Sequence, residues 1–139
     1  MNQLFQKVDV VVIGAGIAGA TLSCILAASG LRVVILEAGQ MPKWDANRYD
    51  LRVSALNLAS KNTLIALGVW SQVETMRAYP FHDIEVWDQN SPGRVLFRAS
   101  DAGLQNLGHI VENSAVILAL HEKLSKEEVE IHYDLTVDK

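Results

Sequence analysis

The chain has 139 residues, of which half are hydrophobic and 20% are charged, and its formal net charge is −4 at pH 7. This length and composition suffice for one globular core and do not match those of a disordered chain. The negative charge and the absence of a run of lysines or arginines argue against a general attraction to nucleic acid or to an anionic membrane surface, so we expect no nucleic-acid partner.

The first apolar stretch does not have the features of a targeting or membrane-spanning segment. It lacks a preceding positively charged region, and Asp9 and a glycine-rich turn interrupt it. We therefore expect a cytoplasmic protein. Cys24 is the only cysteine, so the chain has neither an internal disulfide nor a CxxC pair, and its apolar neighbours predict a buried helical side chain.

The opening residues predict a strand, a helix and a second strand in that order. Val8–Ile13 is a valine-rich run typical of a parallel strand that is covered on both faces. Apolar residues from Ile17 to Ser29 recur at helical spacing, and Gly30 stands where a left-handed cap would end the helix. Leu31–Leu36 is the second strand. The pattern predicts one complete βαβ unit with a right-handed crossover.

The next elements are less regular. Gly39–Asp50 has no periodicity and is predicted to be a loop, whereas Arg52–Leu58 is predicted to be extended or irregular. Ser60 is positioned to cap a helix that ends at Gly68.

Beyond Pro80 the pattern changes to one typical of an antiparallel sheet. Ile84–Asp88 and Arg94–Arg98 alternate between apolar and polar residues on either side of a turn sequence, which predicts a hairpin. The remaining predicted elements are a strand at Gly108–Val111, a helix at Ser114–Leu124 and a strand at Val129–Tyr133.

The turn between the first strand and the first helix carries a G-x-G-x-x-G motif. Gly14 permits a sharp turn, Gly16 presents no side chain to a diphosphate, and Gly19 lets the helix lie close to the strand. A diphosphate at this turn would meet free N–H groups at the positive end of the helix dipole. The intervening residues of the motif are Ala15, Ile17 and Ala18.

Glu37 follows the second strand, at a position where an acidic side chain can accept hydrogen bonds from ribose hydroxyls. Its charge would repel a 2′-phosphate, so the site should prefer the ADP half of FAD or NAD over that of NADP. The fingerprint alone does not decide between FAD and NAD. Ala38, which is adjacent, is included among the candidate cofactor-binding residues.

Four further blocks resemble the ubiquinone-biosynthesis hydroxylases, which are FAD-dependent aromatic-ring monooxygenases related to para-hydroxybenzoate hydroxylase. The blocks keep the order and approximate spacing of that family, and the resemblance extends from Asp9 to about Leu124. They are Asp50–Ser60, Leu67–Trp70, Glu85–Asp88 and Leu107–Asn113.

This resemblance implies FAD as cofactor, NADH or NADPH as reductant, O2 as co-substrate and a polyprenylated phenol or quinol as substrate. It also implies that Arg52 contacts the phosphate or ribityl region of FAD and that Asn113 reaches the flavin side. The alternative for Arg52 is a surface ion pair with Asp50 or Asp45, and for Asn113 it is a plain helix N-cap.

The implied fold class is α/β, with a Rossmann-like FAD-binding layer and the start of an antiparallel substrate-side sheet. Residues 1–75 and 108–139 are assigned to the FAD-binding layer, and residues 76–107 to the substrate-side sheet. The family's downstream Asp-Gly and Gly-Asp segments are missing, and the chain stops directly after its last predicted strand. We therefore expect a fragment of a longer enzyme, inactive by itself and prone to self-association through uncovered apolar surface.

Two other functions stay open from the sequence: a nucleotide-binding or interaction module without turnover, and an NAD-dependent dehydrogenase domain. The Arg52 block and the hairpin argue against the dehydrogenase. The resemblance is also compatible with a location at the periphery of the inner membrane and with membership of a ubiquinone-biosynthesis complex. His109 is interpreted as a packing residue, and the other histidines have no metal-ligand spacing, so no metal site is predicted.

Overall fold

A computed structural model of the chain describes residues 7–137, which form two compact units. The first unit comprises the chain up to Asp50 together with the chain from Asn113 onward. The second unit is Leu51–Glu112. The boundaries of these units differ from those of the functional segments expected from the sequence, which are residues 1–75, 76–107 and 108–139. The roles assigned to those segments stay predictions.

The first unit contains a parallel sheet of three strands. Val10–Ile13 (β1) pairs with Val33–Leu36 (β2), which pairs in turn with Glu130–His132 (β8), so that β2 is the central strand. The helix Ile17–Ala28 (α1) connects β1 to β2. The order of elements predicted for the βαβ unit is therefore confirmed, with strands that are shorter than the apolar runs, and Gly30 follows α1 at a φ of +82° as expected. The cover predicted on both faces of β1 is not found within the described residues, where Val11 and Ile13 are 51% and 70% exposed.

α1 packs against the helix Asn113–Lys126 (α4) through its small residues. Ala20, Ser23 and Cys24 are the buried residues of α1, whereas Leu22 and Ile25 are 48% and 43% exposed. The burial predicted for Cys24 is confirmed, but its apolar neighbours Leu22 and Ile25 do not lie on the buried face. The face of α1 that is buried is therefore lined by small side chains, and the larger apolar residues lie outside it.

The second unit is antiparallel throughout. In its larger sheet, Val53–Asn57 (β3) and Ala78–Phe81 (β4) lie on either side of Gly108–Glu112 (β7), which is the central strand. The helices Leu58–Ala66 (α2) and Trp70–Arg77 (α3) connect β3 to β4.

Three local predictions in this unit are incorrect or incomplete. The cap of α2 is Asn57, whose side chain accepts a hydrogen bond from the Ser60 N–H at 2.9 Å, so Ser60 is the capped residue and not the cap. α3 and β4 were not predicted. Pro80 lies inside β4, which is an edge strand, and an edge position tolerates a residue that cannot donate a hydrogen bond to the ladder.

The predicted hairpin is present as Asp83–Trp87 (β5) and Arg94–Arg98 (β6), with Val86 opposite Val95. Most of its apolar residues are not covered: all five residues of β5 are exposed, and Trp87 is 69% exposed. Across the described part of the chain, no helix combines the length and apolar character needed to cross a membrane.

The close approach of α1 to the glycine turn generates a stability prediction. A Cβ on Gly19 would overlap the carbonyl oxygen of Gly14, which is backbone and cannot rotate away. We expect Gly19→Ala to lower the free energy of unfolding by about 2 kcal/mol or more. Urea denaturation measures the change. Gly16→Ser is the matched control, because its Cβ would meet no atom within 4 Å and serine is favoured at helix N-caps. Equal stability of the two variants would contradict the prediction.

Candidate functional site

The glycine turn lies at the carboxyl end of β1, and its backbone is shaped by Gly14. This residue has a φ of +94°, in the region where side chains are disfavoured, and its N–H donates to the Leu36 carbonyl at 2.8 Å. The turn therefore leaves β1 while still hydrogen-bonded to the end of β2. The positions expected for Gly14 and Gly19 are both explained within the folded chain, the first by conformation and the second by close packing.

Gly16 is different, because the fold itself does not require a glycine there. Its φ of −69° and ψ of −177° are accessible to any residue, and an added Cβ would meet nothing within 4 Å. Gly16 is the N-cap of α1 and has no side-chain cap. The first N–H groups of an α-helix have no partner within the helix, so this end of α1 presents hydrogen-bond donors and a positive dipole to exposed space.

Glu37 follows β2 and bonds to the turn itself. Its carboxylate accepts from the Ala15 N–H at 2.5 Å and from the Gly39 N–H at 2.6 Å. These two backbone hydrogen bonds, in that order, hold the pKa of Glu37 below its usual value. A carboxylate has about four lone-pair sites. The expected contact of Glu37 with a ribose therefore stays chemically possible while the carboxylate fixes the turn.

The structure also brings two residues to the turn that the sequence did not identify. The imidazole of His121, on α4, contacts the Ala15 carbonyl oxygen through Nε2 at 2.7 Å and the Tyr133 hydroxyl through Nδ1 at 2.8 Å. His121 is 4% exposed. No local signal could have linked these residues, because His121 and Ala15 are 106 positions apart and meet only when α4 packs in the first unit.

The other candidate cofactor-binding residues have these positions. Ile17 and Ala18 form the first turn of α1, and Ala38 is exposed directly after Glu37. Arg52 is exposed and immediately precedes β3 in the second unit, whereas Asn113 is the first residue of α4 in the first unit. The roles that the resemblance implies for Arg52 and Asn113 stay predictions.

His109 and Cys24 are buried away from solvent. The His109 ring meets Trp70 edge to face, with ring centroids 5.0 Å apart, and burial lowers its pKa. Burial raises the pKa of the Cys24 thiol to about 11, which makes it a poor nucleophile. Within residues 7–137, no group of three or more His, Cys, Asp or Glu side chains is placed to hold a metal ion.

The lowered pKa of Glu37 predicts a contribution to stability that depends on pH. Because this pKa is lower in the folded chain, ionised Glu37 stabilises the fold above its usual pKa of 4.5, and this stabilisation is lost as the pH falls. Glu37→Gln should therefore lose less stability than the unmodified chain between about pH 5 and pH 3. Urea denaturation across that range tests this, with Glu128→Gln as an exposed control. An unchanged pH dependence in Glu37→Gln would refute the prediction.

Comparison with known proteins agrees with this geometry. Residues 9–130 match the family model described as FAD dependent oxidoreductase. The chain is 33% identical over 120 residues to the 3-demethoxyubiquinol 3-hydroxylase of Escherichia coli (strain K12), which covers 86% of the chain and 30% of that protein. It is 31% identical over 147 residues to the mitochondrial ubiquinone biosynthesis monooxygenase COQ6 of Danio rerio, covering 99% of the chain and 29% of that protein.

Solved structures share the fold. A mutant of PqsL from P. aeruginosa superimposes with a TM-score of 0.72 at 23% identity, covering 93% of this chain and 34% of that one. A flavoprotein/dehydrogenase from Cytophaga hutchinsonii gives 0.71 at 23% identity, covering 96% and 32%. The predicted α/β class with a Rossmann-like layer is thus confirmed.

The chain spans about 30% of the length of these two curated relatives. Within that span, the family match and the shared fold are consistent with the glycine turn and the order of the elements described above. The resemblance found in the sequence is confirmed. The chain belongs to the FAD-dependent oxidoreductase family and is similar to the flavin monooxygenases of ubiquinone biosynthesis.

Proposed function

We propose that this chain forms the site for the ADP half of FAD in a monooxygenase that hydroxylates the aromatic ring of a polyprenylated ubiquinone precursor with NAD(P)H and O2. The observation that carries the proposal is Gly16. This residue has no side chain and lies at a helix N-terminus, although neither its backbone angles nor its neighbours in the fold require a glycine. A ligand that approaches the backbone closely accounts for this choice of residue.

The donors at this position suit a diphosphate. Residues 14–19 carry no charged side chain, so an anion would be held by backbone N–H groups and by the dipole of α1. An aligned helix dipole contributes about 0.3–1 kcal/mol per anionic group at an exposed site. Most of the affinity must therefore come from several N–H groups that point correctly at the same time.

Glu37 supports a ligand whose adenosine ribose has a free 2′-hydroxyl. Its carboxylate keeps lone pairs beyond those used by the Ala15 and Gly39 N–H groups, and its negative charge opposes a 2′-phosphate. The family match favours FAD at this site, and we propose NADH or NADPH as a separate reductant. We propose the ten cofactor-binding residues on this basis: Gly14, Ala15, Gly16, Ile17, Ala18, Gly19, Glu37, Ala38, Arg52 and Asn113.

The substrate class rests on the relatives, which are named as a demethoxyubiquinol hydroxylase and ubiquinone biosynthesis monooxygenases. When bound, FAD supplies the redox chemistry of oxygen activation, and the protein binds and orients the cofactor and excludes water. We assign residues 76–107 to the start of the substrate-side sheet. Exposed apolar side chains on the hairpin, including Trp87 and Phe97, support the prediction of self-association or of contact with a partner or membrane periphery.

The first test is the retention of flavin by the complete gene product. Gly16→Val places a branched side chain where the diphosphate would approach and should weaken FAD binding at least a hundredfold, about 2.7 kcal/mol. Flavin absorbance after purification and titration of the apoprotein with FAD measure the effect. Ala28→Val, in the last turn of the same helix and exposed, is the matched control and should remain yellow. A Gly16→Val protein with normal FAD content would exclude the proposed diphosphate site.

The second test addresses the reaction. The complete gene product should consume O2 and NADH or NADPH when a polyprenylated phenol is added, and mass spectrometry should detect the product with one added oxygen atom. Equal consumption of NAD(P)H with and without the phenol, and no hydroxylated product, would remove the substrate assignment while leaving FAD binding in place. A colourless protein that binds NAD would instead support the dehydrogenase alternative. The 139-residue chain alone is predicted to give no turnover.

A further inference from the structure

We propose that His121, oriented by Tyr133, is a positioning residue that aims the Gly16 N–H at the cofactor diphosphate. The inference rests on the proposed FAD site and adds two residues to it that act through the backbone. Neither side chain belongs to the glycine motif, and both come from the carboxyl-terminal segment of the first unit.

The first step is the orientation of two successive peptide groups in the turn. Glu37 accepts from the Ala15 N–H, and His121 contacts the Ala15 carbonyl oxygen at 2.7 Å. The Ala15 carbonyl belongs to the same planar peptide as the Gly16 N–H, and the described chain has no cis peptide bond. In a trans peptide the C=O and N–H point in opposite directions. A carbonyl held by His121 therefore directs the Gly16 N–H away from that imidazole.

The preceding peptide is fixed in the same way. Its N–H, that of Ala15, points to Glu37, so its carbonyl, that of Gly14, points to the other side. There the Gly14 oxygen lies against Gly19, at the place that a Cβ on Gly19 would occupy. Both peptide planes of the turn are thus held by groups outside it, which is the arrangement that preorganised anion binding requires.

The second step is the tautomer of His121. A carbonyl oxygen can only accept a hydrogen bond, so Nε2 of the imidazole must carry a proton. In the neutral ring, Nδ1 is then an acceptor, and the hydroxyl of Tyr133 at 2.8 Å is its donor. Burial, followed by the charge of Glu37, raises the pKa of Tyr133, which keeps this hydroxyl protonated. The Ala15 carbonyl thus fixes the tautomer, and the hydrogen bond from Tyr133 to Nδ1 holds the ring in the orientation from which Nε2 donates to Ala15.

The third step is the placement of Tyr133 itself. The residue follows β8, and the chain on both sides of it is bonded to Glu37. The Glu37 N–H donates to the His132 carbonyl at 2.8 Å, and the Leu135 N–H donates to the Glu37 carbonyl at 3.0 Å. Glu37 thus reaches Ala15 directly through its carboxylate and indirectly through Tyr133 and His121. These hydrogen bonds, together with the chain that joins them, form a closed ring of contacts around Ala15, which we call the positioning circuit.

Substitution of His121 by Gln or by Asn distinguishes a positioning role from a role in packing alone. Gln at position 121 can place a donor where Nε2 lies, whereas Asn can replace only Nδ1. In the complete gene product, His121→Asn should weaken FAD binding about tenfold, the effect of losing one buried hydrogen bond, and His121→Gln should stay within about threefold of the unmodified protein. Titration of the apoprotein with FAD, followed by flavin fluorescence, gives both values. Equal FAD affinity of His121→Asn and the unmodified protein would overturn the proposal.

Tyr133→Phe tests the orienting hydrogen bond without removing the imidazole. It should weaken FAD binding about threefold to tenfold in the unmodified background and have little further effect in His121→Gln, whose side chain has no atom in the place of Nδ1. NMR of protein labelled with 15N-histidine should show a protonated Nε2 and an unprotonated Nδ1 at His121, and the Nδ1 signal should shift in Tyr133→Phe because its hydrogen bond is lost. An unchanged Nδ1 signal together with an unchanged FAD affinity in Tyr133→Phe would contradict the assignment, even if the His121 variants fail to fold.

The NMR measurement also distinguishes the two proposals. It is made on the protein without FAD, so a protein that shows the expected tautomer but does not bind FAD would refute the proposed function and leave the positioning circuit intact. A protein that binds FAD but has the opposite tautomer would refute the circuit alone.

Discussion

The structure around the candidate site depends on how the peptide groups of a single loop are oriented. An anion held by backbone N–H groups gains little from any one of them, and residues 14–19 offer no cationic side chain to compensate for a misdirected donor. A loop whose peptide planes are fixed before the ligand arrives therefore binds an anion more tightly than one whose planes must first be ordered. Glu37 fixes the peptide plane between Gly14 and Ala15, and His121 fixes the plane between Ala15 and Gly16. The Gly14 carbonyl oxygen packs against Gly19, which has no side chain in its way.

This constraint explains why the motif contains three glycines for three different reasons. Gly14 has a positive φ, and Gly19 has no room for a side chain. Gly16 has space for a side chain, and no other part of the fold occupies that space. Only Gly16 is a direct sign of a ligand, because a substitution there would cost the folded chain nothing in packing. The structure thus separates the two glycines that build the loop from the one that we propose faces the cofactor, a distinction that the motif alone does not make.

The sequence predicted what depends on near neighbours. The βαβ unit, the hairpin and the roles of Gly14 and Gly19 follow from periodicity and turn chemistry over a few residues. What it missed depends on distant partners. The buried face of α1 depends on its contact with the distant helix α4, and there Ser23 is buried while Leu22 is 48% exposed. β4 contains Pro80 because it lies at a sheet edge, and His121 acquires its partners only through tertiary structure. The resemblance to a family supplied the cofactor, which spacing alone left undecided.

The distance along the chain between Ala15 and His121 has a consequence for biosynthesis. The glycine turn leaves the ribosome 106 residues before the imidazole that orients it. At translation rates of about 5–20 residues per second, the turn spends roughly 5–20 s with its second peptide plane unrestrained. β8, which places Tyr133, emerges later still and must pair with a central strand made about a hundred residues earlier. Under the proposed function, a nascent chain completes its glycine motif well before it contains the residues that orient the turn, so its full cofactor affinity is reached only late in the maturation of the protein.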